Sequence, residues 1–303
     1  MHRRTLLLAA LATPVAAYGA APLKVVATFS VLGDMVKRVA GDRVALTVLV
    51  GIDDDIKTYE PTAADTRAVA DADLLVVNGL DPGFEPWLDG LLRQAEFHGV
   101  KLVASDGVRV LKKADVPGAT GVTAADELDP HAWLDAANAA VYAANIQAAL
   151  IRLDPAQADA YRARGDAYRA ELLELDRWAK QRISEVPEAK RTVMTDDGFA
   201  YLGRAYGIRT LGAPGFPTDR HATNAEADAL IAQVKRDNVN AIFLDNLDDP
   251  KQINVMTALT DVEQGGELFS ETLSRPGQNL GAESYVDMFR HDIETLWHGM
   301  MRK

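Results

Sequence analysis

Pro155 to Ile183 reads PAQADAYRARGDAYRAELLELDRWAKQRI and carries no strand signal. The stretch is rich in Ala, Arg, Glu and Leu, and Tyr161, Tyr168, Leu172, Leu173, Leu175 and Trp178 give it a mostly apolar stripe. Composition and period predict one helix of about 28 residues, about 42 Å long at 1.5 Å per residue. That is unusually long for the crossover helix of an α/β unit, so it reads as a rigid spine between two lobes. A coiled-coil partner helix is the alternative, but the heptad spacing is not sustained.

Outward from this spine, both flanks show the same rhythm. On the N-terminal side, Lys24–Phe29 (KVVATF), Val44–Val50 (VALTVLV), Leu74–Val77 (LLVV) and Lys101–Ala104 read as strands. Between the first two, Leu32, Met35, Val36 and Val39 recur at helical spacing, and Gly41 supplies a stop. Thr62 with Asp65 three residues on opens a short helix. On the C-terminal side the strands are Thr192–Thr195, Ile208–Leu211, Ala241–Leu244 and Glu267–Ser270. Thr223 with Glu226 is a second capping box, and a last helix runs from about Glu283 to Met300. Continuous apolar strands alternating with helices imply parallel sheets covered on both faces. The expected class is α/β: two lobes with parallel sheets, joined by a long rigid helix, with a ligand cleft between them. The expected division is residues 1–21 signal peptide, 22–154 N-terminal lobe, 155–187 linking helix and 188–303 C-terminal lobe.

The N-terminal segment has its own chemistry. His2, Arg3 and Arg4 precede an apolar run, Thr5–Ala17, with small residues at Gly19, Ala20 and Ala21. That is the pattern of a cleaved secretory signal, and the Arg3-Arg4 pair leaves the twin-arginine route open. The run is shorter than the roughly 20 apolar residues a membrane span needs. The chain carries 32 Lys+Arg against 44 Asp+Glu, a net charge of −12. Removing residues 1–21 takes away two Arg and leaves −14. This acidic balance argues against nucleic acid as a partner. No cysteine is present, which excludes disulfides, thiolate zinc sites, iron–sulfur clusters and a Cys nucleophile. With no Cys after the apolar run, the expected product is a periplasmic protein that is not lipidated.

Ligands of parallel α/β sheets sit beyond the carboxyl ends of the strands. Several polar residues fall there: Asp53–Asp55 and Lys57 after the second strand, Asp196 and Asp197 after Thr195, Asp245 after Leu244, and Glu271 after Ser270. His131 lies in Asp129-Pro-His-Ala-Trp-Leu-Asp135, just before a helix. Each has a plainer alternative: a solvated acidic turn at 53–55, a helix cap at Asp196, a surface carboxylate at Glu271, a packed core histidine at His131.

In these segments the chain resembles the periplasmic solute-binding proteins of zinc- and manganese-type ABC importers, also called metal-binding lipoprotein adhesins. The likeness runs through KVVATFSVLGDMVKRVAGD (24–42), TYEPTAAD (58–65), ADADLLVVNG (70–79), DPHAWLD (129–135), FAYLGRAYG (199–207), IFLDN (242–246) and YVDMFRH (285–291). The resemblance implies two α/β lobes joined by a long helix, a metal cleft between them, an ABC permease in the inner membrane as partner, action as a monomer and no enzymatic reaction. It also implies a four-ligand site of two His, then His or Glu, then Asp. Mapped onto this chain, those positions are Lys57 in place of the first His, His131, Asp196 and Glu271.

The substitutions change the chemistry. His131, Asp196 and Glu271 make a one-nitrogen, two-carboxylate set that leans toward manganese or ferrous iron and away from zinc. A lysine ammonium has three donors and no acceptor, so it ligates only when deprotonated. From a reference pKa of about 10.4, that costs about 4.6 kcal/mol at pH 7. The stretch Val110–Glu127, where relatives of the zinc type carry a His-rich loop, holds no His. His221 is a further candidate for the cleft or a solvated loop residue. Three readings follow: a receptor for a divalent cation (Mn, Fe or Zn); a same-fold receptor that has lost metal binding, with Lys57 filling the site or contacting an anionic ligand; and a metal hydrolase. No His-Glu-x-x-His, Gly-x-Ser-x-Gly or phosphate-loop motif supports the last.

Overall fold

A computed structural model describes residues 21–52, 54–115, 127–195, 197–212, 223–278 and 280–302. Its N-terminal sheet holds β1 (Leu23–Phe29), β2 (Val44–Val50), β3 (Leu74–Val77) and β4 (Val100–Val103). The C-terminal sheet holds β5 (Thr192–Thr195), β6 (Arg209–Gly212), β7 (Ala241–Asp245) and β8 (Gln264–Leu268). Both sheets are wholly parallel and share one topology, β2-β1-β3-β4 and β6-β5-β7-β8. In each, the first strand sits inside and the chain then winds outward past it.

The helices are α1 (Ser30–Ala40), α2 (Ala63–Ala70), α3 (Leu88–Gln94), α4 (Ala136–Leu153), α5 (Ala158–Ser184), α6 (Ala200–Tyr206), α7 (Asn224–Asp237), α8 (Pro250–Thr260) and α9 (Tyr285–Met301). Period-2 alternation divides the strands between two faces. Val25, Ala27 and Phe29 of β1, with Leu74 and Val76 of β3, enter the central core against α1 and α4. Val26, Leu75 and Val77 point the other way, to Val69 of α2 and Leu88 and Leu91 of α3. The C-terminal sheet repeats this, with Met194, Leu211, Ile242 and Leu244 covered by α7 and α8. The central core is continuous from lobe to lobe through α5 and α9.

Helix α5 is 27 residues long, about 40 Å. Its buried seam is Tyr161, Gly165, Tyr168, Leu172, Leu175, Ala179 and Ile183, spaced three or four apart. The stripe expected from sequence differs at two places: Leu173 is 41% exposed and Trp178 is only half-buried. Gly165 and Ala179 are buried in the seam, and at Gly165 the neighbouring helix approaches closely. A Cβ on Gly165 would stand 2.7 Å from the Gln147 side chain of α4. That Gln147 amide donates to Arg162 O (3.1 Å) and Asp166 Oδ1 (3.0 Å), stitching α4 to α5.

Both expected capping boxes form, Thr62 with Asp65 and Thr223 with Glu226. The last strand is displaced from expectation. β8 covers Gln264–Leu268, three residues before Glu267–Ser270. Two glycines there read as a break. Gly265 instead lets the Phe243 ring of β7 lie against the backbone, and Gly266 takes φ +142 at a register shift opposite Ile242 and Phe243. Glu271 therefore stands three residues beyond the strand, on an irregular segment.

Candidate metal centre

Three segments bring the expected residues together. The first is the loop after β2. Asp55 Oδ1 accepts from Lys57 N (2.7 Å) and turns the chain, and Trp87 Nε1 donates to Ile56 O (2.8 Å). Ile56 is buried, so the loop is anchored on both sides of Lys57, with Tyr59 OH donating to Asp65 Oδ2 (2.8 Å). Lys57 itself stays half-exposed, with 50% of its side chain accessible.

The second segment carries His131, which is 5% exposed. Asp129 Oδ1 accepts from both the backbone N (2.9 Å) and the ring Nδ1 (2.8 Å) of His131. One carboxylate oxygen therefore sets the turn and the ring orientation, leaving Nε2 to face the cleft. The rings of Phe84 and Trp133 meet the imidazole edge-on at 5.5 and 5.4 Å. Beneath it, Asn78 Nδ2 donates to Pro130 O (3.0 Å) and Tyr142 OH donates to Asn78 Oδ1 (2.6 Å).

The third segment carries Glu271, which is 6% exposed. Its Oε1 lies 3.1 Å from His131 Nε2 and 2.9 Å from Lys57 Nζ. One oxygen from the C-terminal lobe is thus shared by two basic groups of the N-terminal lobe. The segments are tied directly as well, since Trp133 Nε1 donates to Ser270 O (2.8 Å).

The charges follow from these contacts. Burial alone would disfavour the imidazolium, but the hydrogen bond and charge of Asp129, then those of Glu271, outweigh it and push the His131 pKa up to about 10. Burial alone would also raise the Glu271 carboxyl, but His131 and then Lys57 bring it down to about 2. Both groups are ionised at neutral pH. Each nitrogen of the ring faces a carboxylate, so His131 must lose a proton before Nε2 can ligate anything.

Other expected residues fare differently. Asp53, Asp196 and His221 lie outside the described residues. Asp54 and Asp55 are exposed, and Asp55 serves its own loop. Asp245 does not turn into the cleft as a ligand; its carboxylate accepts from Leu247 N (3.0 Å) and Ser270 N (3.0 Å). Among the described residues no group of three or more His, Asp or Glu stands ready to hold a metal ion. Asp129 escaped the sequence reading as a functional residue, although its i, i+2 spacing to His131 across a Pro was a usable turn signal.

Comparison with known proteins bears on what this cleft does. The family model described as "Zinc-uptake complex component A periplasmic" matches residues 25–299. The manganese-binding lipoprotein MntA of Halalkalibacterium halodurans is 32% identical over 279 residues, covering 92% of this chain and 88% of that protein. The iron ABC transporter substrate-binding lipoprotein MtsA of Streptococcus pyogenes is 30% identical over 285 residues, covering 92% and 89%. A manganese-bound periplasmic metal-binding protein from Candidatus Liberibacter asiaticus superposes with a TM-score of 0.77 at 26% identity, over 91% of this chain and 99% of that one. These relatives correct one expectation. The two sequence relatives are named lipoproteins, so a protein without a lipid anchor is not what they indicate. That expectation rested only on the missing cysteine and on residues 1–21, of which all but Ala21 lie outside the described residues.

Proposed function

From the premise that the chain belongs to the ZnuA family of periplasmic zinc-uptake components, we propose that it is the solute-binding component of an ABC importer for a divalent metal cation: manganese, iron or zinc. It captures the ion between its lobes, as a monomer, and delivers it to a permease in the inner membrane without making or breaking a covalent bond. We divide it into an N-terminal lobe at 22–154, a linking helix at 155–187 and a C-terminal lobe at 188–303.

The observation that carries this reading is Glu271 Oε1, buried between lobes and already holding two basic groups, His131 Nε2 and Lys57 Nζ. An oxygen so placed is where a divalent cation would sit. His131, Asp196 and Glu271 are the proposed ligands, a set suited to manganese or ferrous iron. Lys57 is the resident cation that the metal must displace. Half of its side chain faces solvent, so it can swing away with little loss of packing. Thermal unfolding with manganese, iron and zinc tests the proposal. A ligand that binds only the folded state adds RT ln(1 + [L]/Kd), so at least one ion should raise Tm.

A second reading is favoured by the 2.9 Å Lys57–Glu271 contact: the lysine satisfies the site and metal binding is lost. Lys57→His separates the two. In the receptor it tightens existing binding by adding a nitrogen ligand and removing a competing charge. In the closed site it creates binding where the natural chain has none. If no ion at millimolar concentration moves Tm in either protein, both readings fail.

A further inference from the structure

Glu271 sits on a segment that has left its sheet. The β7–β8 pairing ends where Asn246 N donates to Leu268 O (2.9 Å). The next two amides, Phe269 N and Ser270 N, are buried and have no strand to pair with. Each is taken by a different aspartate side chain. Asp292 Oδ1, from α9, accepts from Phe269 N at 2.9 Å. Asp245 Oδ2, at the end of β7, accepts from Ser270 N at 3.0 Å. Asp292 is fully buried, and among the described residues its Oδ2 has no hydrogen-bond partner. Beyond Glu271, Leu273 N donates to Ser30 Oγ of the other lobe (3.2 Å).

We propose that Asp292, together with Asp245, is a positioning residue for Glu271, holding the two amides that precede it so that its carboxylate meets His131 and the incoming cation. The assignment rests on the metal-receptor reading for its consequence, though not for its geometry. Among the described residues Asp292 meets no cation, and burial pushes its carboxyl well above the usual range. A buried acid group held by a single backbone amide, with its other oxygen unpaired, is a poor way to stabilise a fold. It is a direct way to fix backbone that no strand can fix. Outer-shell partners of metal ligands commonly change affinity by about 10- to 100-fold when removed.

The test compares Asp292→Ala with Asp292→Asn by calorimetric titration with Mn2+ well below the melting temperature. Asp292→Ala should weaken binding about 10- to 100-fold. Asp292→Asn, which keeps an acceptor for Phe269 N, should bind like the natural chain. Unchanged affinity in folded Asp292→Ala, with only a lower Tm, overturns the assignment, as does an Asn variant as weak as the Ala variant. Amide exchange on the metal-free natural chain and Asp292→Asn gives a second readout, which serves if Asp292→Ala does not fold. Phe269 and Ser270 amides should exchange as slowly as those of β7 in both proteins, and fast exchange in either overturns the assignment. If the natural chain takes no Mn2+ while those amides stay slow, manganese is not its ion, and the same comparison with Fe2+ and Zn2+ decides. Asp292→Ala must weaken whichever ion the natural chain takes, and if it takes none the receptor reading fails while the amide clamp stands.

Discussion

Asp129 gives one oxygen to two hydrogen bonds on His131, and the opposite ring nitrogen faces Glu271. The folded pKa of His131 is raised from 6.5 to about 10, and that of Glu271 lowered from 4.5 to about 2. The histidine therefore adds stability that is complete below pH 6.5 and lost as pH climbs through about 10. The glutamate adds stability that is complete above pH 4.5 and lost as pH falls through about 2. Metal-free protein gains most from the pair between pH 4.5 and 6.5. Metal uptake has the opposite slope, because the ion needs a neutral imidazole. Near pH 7.5, binding should release about one proton per ion. Titration calorimetry in buffers of different ionisation enthalpy measures that number directly, and a value near zero would show that His131 is not a ligand. The meeting of Lys57, His131 and Glu271 was legible in the sequence, because all three fall in segments that match a known family. That Lys57 and His131 share one oxygen was not legible, since it depends on how two lobes are set against each other.

At the scale of elements, seven of the eight strands among the described residues begin within one residue of where continuous apolar, β-branched runs place them, and β8 does not. The reason is local. Gly265 and Gly266 suggest a break by propensity, whereas here they answer a packing demand that no local pattern reveals. Phe243 of β7 lies against Gly265, and Gly299 of α9 closes on the same ring, where its Cβ would stand 2.5 Å from the Phe243 ring. Gly265→Ala should therefore cost about 1–3 kcal/mol through overpacking. Phe243→Leu in the same chain should recover part of that loss, since the two sites share one space. Urea unfolding of both single variants and the double variant gives the coupling. Strictly additive losses would mean that the ring and the glycine do not constrain each other. The same shift matters for function, because it leaves Glu271 on irregular chain whose amides are held by the side chains of Asp292 and Asp245.

Across the whole molecule, the long helix read from Pro155–Ile183 is more than a connector. Its buried seam belongs to a core that runs without interruption from β1 to β7. Polar contacts cross between the lobes along the same line: Tyr285 N donates to Asp34 Oδ2 (3.0 Å), Ala136 N to Tyr206 OH (3.1 Å) and Leu111 N to Tyr201 OH (2.8 Å). Trp133 Nε1 to Ser270 O (2.8 Å) adds a contact one residue before Glu271. Two lobes of this size could unfold separately if only a helix joined them. With a shared core they should not. Differential scanning calorimetry of the metal-free protein should give one transition, with calorimetric and van't Hoff enthalpies in agreement. Trp133→Phe keeps the ring packed against Phe29 and Phe84 but leaves Ser270 O unpaired, at a cost of about 1–3 kcal/mol. It should lower that single transition without dividing it. Two resolved peaks, in either protein, would mean that the lobes are held together at the cleft and not through the spine.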